Sequence, residues 1–101
     1  MSVFAITRTF YEDDVRSSVK DLTHKYKDIF KGQNGFRSIQ EFSSRDRNEI
    51  MLIIEWEDES CYRAAQMCPQ WGGLMADSNK LMAGKKMRVE IGLYQNMDQA
   101  N

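Results

Sequence analysis

Seven residues near the middle of the chain, Ile50-Met51-Leu52-Ile53-Ile54-Glu55-Trp56, are apolar at every position but one. The run is rich in β-branched residues and about one strand long, so it reads as a strand. Successive side chains of a strand point to opposite faces. Apolar residues at consecutive positions therefore mean that both faces of this strand are covered. One layer of helices covers one face, so something else must cover the other. The chain has 101 residues, and a packed core needs on the order of 100. The sequence therefore reads as one domain over residues 1–95, with a polar tail at 96–101 expected to fray.

Strands and helices alternate around that run. Residues from Val3 to Phe10 are rich in β-branched and aromatic types and predict a first strand. The acids Glu12, Asp13 and Asp14 then sit where a helix N-terminus favours negative charge. Val15, Val19, Leu22, Tyr26, Ile29 and Phe30 follow at helical spacing, up to Lys31 and a left-handed cap expected at Gly32. Gln33-Asn34-Gly35 makes a turn into a second strand, Phe36 to Ser44, which pairs antiparallel with the central run. Asp58 can cap a second helix from Glu59, which Pro69 breaks or kinks. Trp71, Leu74, Met75, Ser78, Leu81 and Met82 carry the helical period on to Gly84. Met87, Val89, Ile91 and Leu93 alternate with Lys86, Arg88 and Glu90 in the last strand.

This order predicts an α+β, ferredoxin-like βαββαβ fold, a four-stranded antiparallel sheet with both helical segments on one face. The other face, carrying Met51 and Ile53, is left bare, and a second copy of the sheet is its usual cover, giving a homodimer through the open sheet face. On the first strand Thr7 and Arg8 point to opposite faces. If Thr7 faces the helices, then Phe4, Ile6, Arg8 and Phe10 face the partner. There Arg8 would meet an acid of the other subunit, with Glu55 a candidate.

Composition narrows function. Fourteen basic against fifteen acidic residues leave a net charge of −1, so no large positive field draws in a phosphate backbone and no nucleic-acid partner is expected. No apolar run approaches the roughly 20 residues that span a bilayer. Neither a membrane partner nor a secretory leader is expected, and the protein reads as cytoplasmic. Cys61 and Cys68 read as reduced and structural. No phosphate loop, paired-Cys motif, Ser/His/Asp set or acidic metal site occurs, so no metal or cofactor is expected. Seven methionines point to adaptable packing around a pocket or interface.

Several elements together carry a resemblance. They are the first strand and long helix, the Gly35-Phe36 step, the string Ile54-Glu55-Trp56-Glu57-Asp58-Glu59 leading into a helix, Tyr62 six residues beyond that tryptophan, and Trp71 shortly after Pro69. Over Val3 to Tyr94 the chain resembles the antibiotic biosynthesis monooxygenase family. These are small dimeric α/β barrels that include cofactor-independent, quinone-forming monooxygenases and haem-degrading enzymes. The haem-degrading triad of asparagine, tryptophan and histidine is replaced by Thr7, Ala65 and Met75. The only histidine, His24, falls off the apolar stripe of the first helix and reads as a surface residue.

The quinone-forming branch is more similar. The resemblance implies that Tyr62 hydrogen-bonds a substrate phenolate or carbonyl and Trp56 holds its ring. Thr7 or Arg8 would supply a second polar contact, and Leu52 stands where the branch has its strand asparagine. Trp71 and Met75 join Thr7 and Leu52 as the implied substrate-binding set. Each residue also has a plain structural reading: Trp56 as a core residue ending a strand, Tyr62 as a hydroxyl turned to water, Trp71 as a staple rather than a lid. The implied function is a cofactor-independent monooxygenase acting on a small aromatic or quinol-like ligand. The alternative is a catalytically silent, small-molecule-binding or stress-related dimeric barrel.

Overall fold

In the computed structural model, which describes residues 2–97, four strands form one antiparallel sheet in the order β2-β3-β1-β4. The strands are β1 (Val3–Tyr11), β2 (Phe36–Ser43), β3 (Glu49–Trp56) and β4 (Met87–Tyr94). The helices are α1 (Arg16–Lys31), α2 (Glu59–Ala65) and α3 (Pro69–Ala83), with a short 3-10 turn over Asp13–Val15 ahead of α1. This is the α+β, ferredoxin-like arrangement the pattern predicts. The most apolar strand, β3, lies inside the sheet between β2 and β1. Residues 98–101, most of the tail expected to fray, lie outside the described residues.

Register fixes which side chains share a face. Thr7 of β1 stands level with Leu52 of β3 on one side and Ile91 of β4 on the other, and Ala5 stands between Ile54 and Leu93. These odd positions of β1 and even positions of β3 look toward the helices. The core there has two parts. Ala5, Phe30, Ile54, Trp56, Tyr62 and Ala65 pack at one end of the sheet, and Val19, Ile50, Leu52 and Met87 toward the other.

The left-handed glycine is Gly35 rather than Gly32. Gly32 has φ −88°, whereas Gly35 has φ +82° and a Cβ there would lie 2.4 Å from Cys61 Sγ. The turn into β2 runs against α2 so closely that only glycine fits. Asp58 caps α2 as expected, its carboxylate accepting from the Cys61 amide at 3.0 Å. Pro69 does not kink one helix. It sits in the first turn of a separate α3, where its missing N–H costs nothing.

On the face away from the helices, Arg8 pairs within its own chain. Its Nε donates to Glu49 Oε2 at 2.8 Å, while Arg47 Nε donates to Glu49 Oε1 at 2.8 Å. Glu49 is one pleat beyond Met51 on the same face, and it reaches Arg8 because Arg8 pairs in register with Met51. The guanidinium groups of Arg88, Arg8 and Arg47 lie 4.2, 5.0 and 5.5 Å from the centre of the Phe10 ring. The Arg8 hydrogen bond, with Arg47 assisting, holds the Glu49 carboxyl below its usual range.

Candidate functional site

Between the sheet and the two long helices lies a cavity of about 260 Å³. Its floor is the sheet: Thr7, Thr9, Leu52, Val89 and Ile91, which the register places side by side. Its first wall is α1, through Val19, Leu22, Thr23 and Tyr26, an i, i+3, i+4, i+7 set on one helical face. Its second wall is α3, where Trp71, Leu74, Met75, Ser78 and Met82 repeat that spacing. None of the side chains lining it carries a charge. A volume just under the roughly 300 Å³ at which small-molecule sites begin suits a compact ligand.

Of the larger depressions, one of about 300 Å³ lies on the open face beside Arg8, Arg47 and Glu49, and two others differ in kind. One, about 610 Å³, runs between α1 and the β2–β3 turn and is walled by charged groups such as Arg16, Lys27 and Glu41. These are largely paired, Arg16 with Asp13 and Lys27 with Glu41. The other, about 660 Å³, follows the β1–β4 edge beside Lys85, Lys86 and Arg88.

Three buried polar atoms among the described residues lack a hydrogen-bond partner: Thr7 Oγ1, Tyr26 OH and Trp56 Nε1. Two of the three belong to residues of the cavity wall. Thr23, also in that wall, is satisfied by donating to the Val19 carbonyl at 2.8 Å. Burial pushes the Tyr26 phenol far above its ordinary range, an effect eased by the neighbouring Thr7 hydroxyl. The two hydroxyls do not meet in hydrogen-bonding geometry. Tyr26 therefore stays a neutral phenol at any physiological pH.

The residues singled out from sequence divide into two places. Thr7, Leu52, Trp71 and Met75 all line the cavity. Trp56 and Tyr62 do not; they stand in the aromatic end of the core, Trp56 with no exposed surface and Tyr62 with 5%. The Tyr62 hydroxyl accepts from Gln66 Nε2 at 3.0 Å, and burial pushes its phenol up as well. Both connect to the cavity through rings. Tyr62 packs on Trp56 at 6.3 Å, Trp56 edge-on to Phe30 at 5.2 Å, and Phe30 stacks on Trp71 at 5.2 Å. Tyr26 was read from sequence only as part of an apolar stripe.

Elsewhere, His24 is exposed and 3.9 Å from Asp28 on the same helix. Cys61 and Cys68 are unbonded and half-buried. Desolvation and the Asp58 carboxylate push the Cys61 thiol up, away from reactivity. Among the described residues no three His, Cys, Asp or Glu side chains converge to hold a metal, and no helix is long and apolar enough to cross a membrane.

Comparison with solved structures places this architecture. SnoaB from Streptomyces nogalater, described as a cofactor-independent oxygenase, superposes with a TM-score of 0.80 at 19% identity, covering 94% of this chain and 92% of its own. Rv0793 from Mycobacterium tuberculosis gives 0.81 at 19% identity over the whole of both chains. A structure described as an antibiotic biosynthesis monooxygenase gives 0.76 at 12% identity, covering 94% of this chain and 98% of its own. The chain has the antibiotic biosynthesis monooxygenase fold. No family model and no curated protein matches the sequence. The likeness to antibiotic biosynthesis monooxygenases is thus one of architecture, and chemistry has to be argued from the cavity.

Proposed function

We propose that the protein is a cofactor-independent monooxygenase of the antibiotic biosynthesis monooxygenase type, acting on a small aromatic or quinol-like substrate held in the cavity between α1, α3 and the sheet. One observation carries the reading: in a fold shared with oxygenases of that description, the space between helices and sheet is an uncharged cavity that brings together Thr7, Leu52, Trp71 and Met75. The uncharged wall offers no general base, so the substrate's own acidic phenol must supply the electron-rich form that meets molecular oxygen. For a naphthol the sum is C10H8O plus O2 giving C10H6O2 plus H2O. One oxygen atom stays on the ring carbon, the other leaves as water, and the substrate supplies every electron. Trp71 would lie against the substrate ring. Trp56 and Tyr62 would be positioning residues, holding Trp71 through Phe30.

The homodimer belongs to the same proposal. Phe42 and Tyr94 on the open face are 48% and 55% exposed, beside half-buried Ile6, Met51 and Ile53, an apolar surface of the kind a second sheet covers. Unbonded cysteines fit a reducing, cytoplasmic setting.

Oxygen uptake with a panel of hydroquinones and naphthols tests the reading. Turnover is expected to fall at least about tenfold in Trp71→Ala, and to survive within a few-fold in Tyr62→Phe. Uptake by no member of the panel would overturn the oxygenase. The lack of any charged group on the cavity wall favours one second reading, a small-molecule-binding dimer without catalysis. Ligand binding without oxygen uptake would establish it.

A further inference from the structure

We propose that Trp71, Phe30, Trp56 and Tyr62 form a hole relay, which draws the oxidising power of a radical out of the cavity and carries it to the Tyr62 phenol in the aromatic end of the core. The inference goes beyond the proposed turnover. It concerns an oxidising radical left in the cavity, and it holds whether or not the cavity is an oxygenase site.

Indole and phenol rings give up one electron readily, and electrons tunnel efficiently between rings in contact. Here four rings run in unbroken contact from the cavity wall into the core. Trp71 lines the cavity. Its indole stacks on Phe30 at 5.2 Å with 10° between the planes, Phe30 meets Trp56 edge-on at 5.2 Å, and Trp56 meets Tyr62 at 6.3 Å. All three spacings are those of interacting aromatic pairs. Phe30 is too hard to oxidise to hold the hole itself, so it serves as the bridge between the two indoles. The four rings come from four different elements, α3, α1, β3 and α2, so no local sequence constraint puts them in line.

Protons decide where the hole stops. An oxidised indole settles when its N–H proton leaves. Trp56 Nε1 is buried and has no hydrogen-bond partner, so its radical cation keeps the proton, stays strongly oxidising and passes the hole on. Tyr26 touches Trp71 directly, at 5.6 Å, and would be the shorter exit. An oxidised phenol has to release its proton, however, and the Tyr26 hydroxyl is buried with no partner to take it. Tyr62 differs. Its oxygen lies 3.0 Å from the amide of the partly exposed Gln66, which by a half-turn presents a carbonyl oxygen as acceptor. A peroxyl or phenoxyl radical in the cavity takes one electron from the relay and one proton from solvent, becoming a hydroperoxide or a phenol. Tyr62 supplies that electron and releases one proton past Gln66 to solvent. A hydrogen-atom donor such as ascorbate then restores the tyrosine.

Pulse radiolysis of the full chain with the azide radical tests this. That radical takes one electron from an accessible indole, here the partly exposed Trp71, and tryptophan and tyrosyl radicals absorb at separate wavelengths. In the wild type the tryptophan signal should decay as the tyrosyl signal grows, at a rate independent of protein concentration. Tyr62→Phe should abolish this coupled growth, Trp56→Phe should lose it by removing the middle station, and Tyr26→Phe should leave it intact. Trp71→Phe should remove the early tryptophan signal, because Trp56 has no exposed surface. Melting curves show that each variant is folded. After repeated exposure, peptide mass analysis should find more oxygen added at Trp71 in Tyr62→Phe than in the wild type, a difference that a mere packing role for Tyr62 would not produce. The relay is overturned by growth that survives Tyr62→Phe, by growth lost in Tyr26→Phe, by an early signal that survives Trp71→Phe, or by a tryptophan radical that persists in the wild type. Oxygen uptake plays no part in these readouts, so failure of the oxygenase and failure of the relay are seen separately.

Discussion

At the scale of single residues, Tyr26 and Thr7 each bury a hydroxyl that has no hydrogen-bond partner. A buried hydroxyl without a partner costs the folded chain roughly 1–3 kcal/mol. Tyr26→Phe and Thr7→Val remove that cost with little change of shape, so each is expected to raise stability by about 1 kcal/mol, read as a higher urea midpoint. Tyr26 also sets an alkaline limit. Its folded pKa lies above the ordinary value of 10.0, so the unfolded chain gives up this proton first. Stability is complete below about pH 10 and declines as pH rises through the window up to the folded pKa. Tyr62 is shifted the same way, so Tyr26→Phe should flatten this decline without abolishing it. Thr7, Leu52, Trp71 and Met75 entered as positions implied by the family resemblance, and strand parity and helical spacing explain why all four line one cavity. Tyr26 was not among them, because a tyrosine on an apolar stripe looks like core until its hydroxyl is seen to lack a partner. Trp56 shares a face with Leu52, but four residues further along a strand is about 13 Å, which carries it past the cavity into the aromatic core.

At the scale of elements, the glycines separate by what surrounds them. Gly35→Ala forces a side chain into a left-handed turn and into Cys61. A loss of more than about 1 kcal/mol is expected, seen as a lower melting temperature. Gly72 and Gly73 lie inside α3 with open space where a Cβ would go. Alanine at both should stabilise by about 1–2 kcal/mol in the same assay, since glycine in a helix interior costs close to 1 kcal/mol each. The link between β2 and β3 makes a prediction of another kind. Glu49 has a lowered pKa, so its contribution is present above the ordinary value of 4.5 and is lost as pH falls through the folded pKa. The stability gap between wild type and Glu49→Gln should therefore be largest near neutrality and close in acid, as followed by denaturation at a series of pH values. Element order and type were readable from hydrophobic period and turn residues. The Arg8 partner was not, since parity places Glu49, Met51 and Glu55 on one face but only the register shows which acid lies within reach.

At the scale of the whole molecule, the proposed dimer answers the question posed by a central strand apolar on both sides. Sedimentation should give twice the 11.8 kDa of one chain, and Met51→Glu or Phe42→Glu should return the monomer, because a buried unpaired carboxylate at the centre of the contact is not tolerated. A wild-type monomer at micromolar concentration would remove the dimer from the proposal. The two tryptophans, Trp56 and Trp71, have one further consequence. One is sealed in the core and the other looks into the cavity. The molecule thus carries two optical reporters in different settings. Quenching of Trp71 by an arriving aromatic should register occupancy while Trp56 continues to report the folded state, so that in Trp71→Phe and Trp56→Phe variants filling and unfolding can be followed as separate colours of emission without any attached dye.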